Sequence, residues 1–160
     1  MRLYLARHGD ALDPEQAKAQ GLDDRPLSDE GRADIERVAA MLDSAGIRVD
    51  KVFHSGKLRA RQTAEILAAH LAMGPVRPMD GLKPNDPPEA LAETVLDWSD
   101  DTLVVGHLPF MERALARMVS GDEKAAPARF ATGAVACLER WESLPLWRLR
   151  WLVSPECVGS

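Results

Sequence analysis

Residues 2–10, Arg2-Leu3-Tyr4-Leu5-Ala6-Arg7-His8-Gly9-Asp10, open the chain with a short apolar run that ends on charge and a glycine. A run this short and this apolar reads as a strand buried on both faces, the kind a helix-covered parallel sheet contains. The pattern recurs downstream. Lys51-Val52-Phe53-His54 is a second strand, and Ser55-Gly56 turns it into a helix from about Lys57 to Leu71, with Ala60, Ala64, Leu67, Ala68 and Leu71 as its apolar stripe. Thr102-Leu103-Val104-Val105 is an apolar strand ending in Gly106-His107, and Leu108-Pro109 opens another helix, proline being at home in a first turn. Strands alternating with helices predict a single three-layer α/β domain, a mainly parallel sheet covered by helices on both faces.

The segments between these anchors complete the expectation. Ala11 to Leu27 is a 17-residue loop rich in Asp, Pro and Gln with no clear period, long enough for a functional flap. Ser28 caps a helix with Asp29 and Glu30 in its first turn. Ile35, Val38, Ala39 and Leu42 follow the spacing of one buried face, and Gly46 stops the helix. Val76 to Met79 is a short strand, Gly81 to Pro88 a second irregular loop, and Glu89 to Trp98 a helix. Ala134 to Trp141 and Trp147 to Val153 read as two closing strands, a hairpin around Glu142 to Leu146.

A chain of 160 residues, 46% hydrophobic, has enough apolar material for one packed core, which excludes intrinsic disorder. No run approaches the roughly 20 apolar residues of a membrane span, and Arg7 interrupts any leader-like apolar region. Cys137 and Cys157 are too few for a disulfide scaffold or a zinc site. The expectation is a cytoplasmic protein without a membrane partner. A net charge of −5 argues against a nucleic-acid partner. The cations are nevertheless skewed, 15 Arg against 5 Lys, and a guanidinium fork suits phosphate oxygens wherever it stands beside other chemistry.

Ligands of such sheets sit beyond the carboxyl ends of the strands. Three of those ends carry Arg7-His8, His54-Ser55 with Arg59 one turn into the next helix, and Gly106-His107. A histidine at a strand end is usually structural and an arginine in a first turn usually solvated. Two of each converging on one mouth point instead to phosphate handling. A neutral imidazole is a competent nucleophile toward phosphorus, two guanidiniums can hold the equatorial oxygens, and helix N-termini add N–H donors. The other conspicuous side chains read as structural: His54 packed or at the surface, His70 near a helix C-terminus, Trp141, Trp147 and Trp151 as core or strand-pair aromatics. Cys137 reads as an inert core thiol, Cys157 as terminal and Arg61 as solvent-facing.

At these residues the sequence resembles the histidine phosphatase superfamily, of phosphoglycerate-mutase-like fold, and within it the small SixA-type phosphohistidine phosphatases. Arg7-His8-Gly9-Asp10-Ala11, Arg25-Pro26-Leu27-Ser28 with Gly31, Ser55 through Ala64, and Gly106-His107-Leu108-Pro109 carry the resemblance, in order along most of the chain. It implies one histidine phosphatase domain over residues 1–160, in which His8 attacks phosphorus and carries a transient phosphohistidine. Arg7 and Arg59 would bind the phosphoryl oxygens and His107 would hydrogen-bond the phosphoryl group, with neither metal nor cofactor. The implied partner is a histidine-phosphorylated protein, a phosphotransfer domain or a phosphotransferase carrier, and the protein itself is expected to be a monomer. Gly56 departs from the usual proline, a change expected to be tolerable. Many members place a general-acid Glu after the third strand; here Asp80, Asp86 and Glu89 are the candidates, none a clear counterpart. Imidazole leaves phosphorus more readily than an alkoxide, so phosphohistidine needs less acid assistance and alkyl esters should be poor substrates. The alternatives are a phosphatase for a small phosphoester such as a sugar phosphate or nucleotide, and an inactive phosphoprotein-binding module.

Overall fold

Alternation along β1 (Arg2–Arg7) sets the architecture: Leu3 and Leu5 join one buried cluster while Tyr4 and Ala6 join another on the opposite side. A strand buried on both faces needs helices above and below it, and the computed structural model, which describes residues 1–140 and 146–159, supplies them. Among the described residues six strands form one sheet in the order β3-β2-β4-β1-β5-β6. β2 (Lys51–His54), β3 (Val76–Pro78) and β4 (Thr102–Gly106) run parallel to β1, whereas β5 (Val135–Arg140) is antiparallel to β1 and β6 (Trp147–Val153) is antiparallel to β5.

The helices sort by face. α2 (Asp29–Ser44) and α3 (Leu58–Leu71) bury Ile35, Val38, Ala60, Ala64 and Leu67 against Tyr4, Ala6, Val52, Leu103 and Val105. On the other face α4 (Glu89–Thr94) and α5 (Phe110–Ser120) set Leu91, Phe110, Met111 and Leu115 against Leu3, Leu5, Val104 and Leu138. Each fully buried Leu or Ile contributes on the order of 2 kcal/mol. Among the described residues no helix is long and apolar enough to cross a membrane.

The region expected as an irregular loop, Ala11 to Leu27, contains a helix, α1 (Pro14–Ala19). Asp13 accepts the Gln16 N–H, the Gln16 side chain accepts the Asp13 N–H, and Pro14 occupies the first turn. This capping box offsets the weak periodicity of a six-residue segment. A bridge between Ala11 and Leu27 pins the base of the excursion. The helix expected over Glu89 to Trp98 is shorter, ending at Thr94 and tightening into a 3-10 turn at Val95–Asp97. The strands around the expected hairpin are antiparallel neighbours, while Trp141 and the turn through residue 145 lie outside the described residues.

Candidate active site

The parallel register places the carboxyl ends of β1 and β4 side by side: Arg7 pairs with Gly106, and the His8 N–H donates to the Gly106 carbonyl at 3.0 Å. The residues that follow, His8 and His107, therefore share the mouth of the sheet, with ring centroids 5.1 Å apart. Arg59, one residue into α3 from its start, brings its Nε to 3.4 Å from His8 Nε2. Arg7 has its Nη1 donating to the Phe130 carbonyl at 3.0 Å and its Nε buried without a partner among the described residues, and its charge reaches His8. The two histidines and two arginines picked from the sequence are thus assembled at one place, and burial pulls both guanidiniums below their ordinary value, with Glu112 opposing at Arg7 and Asp24 at Arg59.

Hydrogen bonding fixes the proton of His8. His8 Nδ1 lies 2.7 Å from the Gly9 carbonyl, which can only accept, so Nδ1 carries the proton and Nε2 presents a lone pair. At His107 the partner is Ser55, whose Oγ lies 2.6 Å from His107 Nε2 and accepts the Lys57 N–H at 3.3 Å. His107 Nδ1 is buried with no partner among the described residues. Burial pushes His8 down to about 4, opposed by the Gly9 carbonyl and reinforced by Arg59, Arg7 and Arg25; burial, then His8 and Arg59, push His107 down to about 3. Both rings are neutral near pH 7, inside a ring of cations.

The carboxylates fall elsewhere than expected. Glu89 forms a bidentate pair with Arg117 at 2.6 and 2.7 Å, ten residues beyond His107 and so on the order of 15 Å along α5. Asp86 closes its own turn by accepting the Lys83 N–H, and Asp80 is exposed beyond β3. None of the three is brought to Arg59. The carboxylate facing Arg59 and His107 is Asp24, with Oδ1 3.9 Å from Arg59 Nη1. Burial pushes Asp24 up, but the N–H groups of Leu58 and Arg25, with Arg59 and Lys57, push it further down, so it is ionised.

Asp24, like Arg25 and Ser55, is not among the site residues expected from the sequence. Its signal was its place directly before the Arg25-Pro26-Leu27 motif, within a segment that looked irregular. Thr63 and Gln62 act one layer further out: Thr63 Oγ1 accepts the Gly9 N–H and donates to the Arg59 carbonyl, and Gln62 accepts the Leu27 N–H. His54 is buried and accepts the Gly56 N–H, a structural role. His70 pairs with Glu36, Arg61 with Glu65, and Cys137 is buried while Cys157 is exposed. Among the described residues no group of three or more His, Cys, Asp or Glu is placed to hold a metal ion.

A mouth of two histidines and buried guanidiniums at the carboxyl edge of such a sheet defines a phosphoryl-handling protein. The chain belongs to the histidine phosphatase superfamily (branch 1), whose family model matches residues 3–86. It is 40% identical over 114 residues to an uncharacterised protein of Picosynechococcus sp., covering 68% of this chain and 67% of that one. Among solved structures it is similar to the protein histidine phosphatase SixA complexed with tungstate, with TM-score 0.81, 26% identity, and 98% and 99% of the two chains covered. It also shares its fold with the α-ribazole phosphatase of Shigella flexneri, at TM-score 0.68 and 20% identity over 97% of each chain.

Proposed function

We propose that this protein is a phosphatase for phosphohistidine on a protein, working through a covalent phosphohistidine on His8. The observation that carries the chemistry is the His8 tautomer: Nδ1 is committed to the Gly9 carbonyl, so the Nε2 lone pair faces the pocket. In the first step Nε2 bonds to phosphorus while the substrate P–N bond breaks and its electron pair stays on the departing imidazole. Arg7 and Arg59 neutralise the phosphoryl oxygens, and His107 hydrogen-bonds one of them. In the second step water attacks phosphorus, the His8 P–N bond breaks with its pair returning to Nε2, and the water proton ends on inorganic phosphate. Guanidiniums rather than a metal ion supply the positive charge.

Phosphohistidine is favoured over an alkyl ester because an alkoxide needs a proton donor as it leaves, and the carboxylate that faces Arg59 and His107 is ionised Asp24. Likeness to SixA along nearly the whole chain supports the same substrate class. The reading of a small-phosphoester phosphatase draws its support from the fold shared with the α-ribazole phosphatase. The phosphoprotein is recognised by the surface around the mouth, including α1, and the protein acts as a monomer in the cytoplasm.

Phosphate release from a histidine-phosphorylated phosphotransfer domain, beside release from phosphoserine, tests this with wild type and His8→Ala. Fast release from phosphohistidine, slow release from the ester and loss of both in the variant are expected. A preference for the ester would replace the proposal with the small-molecule reading. Binding without turnover in both proteins would replace it with a phosphoprotein-binding module.

A further inference from the structure

Phosphohistidine leaves as neutral imidazole only if the ring nitrogen away from phosphorus already carries a proton, and such a ring is a cation until the P–N bond breaks. We infer that Asp24 is the specificity-determining residue for this leaving group: its carboxylate accepts the distal N–H of the substrate imidazolium. This rests on the proposed function above and assigns the residue that makes it selective.

The geometry follows from Arg59. Its Nε edge faces His8 Nε2 at 3.4 Å and its Nη1 faces Asp24 Oδ1 at 3.9 Å, so one guanidinium plane lies between nucleophile and carboxylate. A phosphoryl group received by His8 and held by Arg59 expels its leaving group in line, away from His8 and toward the mouth. Asp24 stands at that mouth, its side chain 45% exposed where that of Arg59 is 11%. The carboxylate is held in place from behind, because Oδ2 accepts the Leu58 N–H at 2.8 Å and Oδ1 the Arg25 N–H at 2.8 Å.

The transfer is symmetrical, one imidazole giving phosphorus to another, so both rings need the same help. The Gly9 carbonyl accepts from the distal N–H of His8 and stabilises the cation that forms there. Asp24 does this for the substrate ring, stabilising the cation that is consumed. The bond changes balance: P–N forms at His8 Nε2, P–N breaks at the substrate, the electron pair stays on the departing nitrogen, and the distal proton leaves with the ring. An ester has no such N–H, and the same negative charge opposes a departing alkoxide.

The test compares two peptides of one sequence, carrying phosphohistidine or phosphoserine, with wild type, Asp24→Asn, Asp24→Ser and Asp24→Glu. Asn and Ser each keep an oxygen that can accept the Leu58 N–H, so the start of α3 stays capped while the charge is removed. Both should lower the ratio of kcat/KM for phosphohistidine over phosphoserine by about tenfold, the effect of a hydrogen bond to a charged group. Glu should restore much of that ratio. Equal losses on both peptides in Asn and Ser would overturn the inference and leave Asp24 an anchor of α3. Wild type failing to prefer the phosphohistidine peptide would overturn the proposed function itself, a result visible without any variant.

Discussion

Ser55 illustrates how much a single hydroxyl decides at this site. Its Oγ accepts the Lys57 N–H and lies 2.6 Å from His107 Nε2, which holds the buried ring in position toward an oxyanion. Ser55→Ala removes that partner without adding bulk. We expect kcat to fall about tenfold with little change in thermal stability, since the burial of His107 is untouched. Steady-state kinetics beside a melting curve checks this, and an unchanged kcat would show that His107 keeps its orientation by other means. At this scale the sequence was legible for residues whose type announces chemistry: His8, His107, Arg7 and Arg59 stand in one mouth. It was not legible for Asp24, because a carboxylate in a polar loop looks like every other solvated carboxylate until the fold sets it 3.9 Å from Arg59.

Between β2 and α3 the chain makes the turn that carries Ser55, and its backbone explains the departure from Ser-Pro. Gly56 has φ +91°, a region closed to proline, and its N–H donates to His54 Nδ1 at 3.0 Å. The replacement is therefore a differently built turn, with His54 buried beneath it as acceptor. Gly56→Pro should destabilise the protein by about 3 kcal/mol and displace Ser55 with it, so that activity falls further than stability alone explains. Denaturant unfolding with parallel kinetics reads both; a Gly56→Pro protein of wild-type stability would show that the turn can adopt the proline-compatible form. The α2 start is equally constrained: Ser28 Oγ accepts the Gly31 N–H and donates to Asp10 Oδ2, and a Cβ on Gly31 would overlap the Asp10 carbonyl oxygen. Strong helices such as α2 and α3 showed in the apolar period. The short α1 did not, because its stability comes from a capping box and a pinned base rather than from a stripe.

Taken whole, the molecule holds two neutral histidines at about 4 and about 3 in a chain whose unfolded histidines titrate near 6.5. Between those values the unfolded chain binds protons that the folded one refuses, so stability rises with pH across the window and falls as pH drops from about 6.5 toward 4. The slope is about 1.4 kcal/mol per pH unit for each histidine. His107→Ala should flatten the dependence, and unfolding free energies between pH 7 and 4.5 would reveal it; an unchanged slope would show that acidification acts through other groups. The mainly parallel, helix-covered sheet was legible because β1 and β4 are apolar runs too short for helices. The placement of β1 beside both β4 and β5 was not, since no local pattern encodes which distant strand is a neighbour.

That placement has a consequence for how the chain comes into being. β1 leaves the ribosome before both of its neighbours, residues 102–106 on one side and 135–140 on the other. It must wait with both edges unpaired until those strands have been made, and His8 waits with it. Pairings this distant in sequence make for slow closure and for an interval in which an apolar strand is open to wrong partners. The mouth that carries His8 is thus assembled only when β4 and β5 dock on either side of β1.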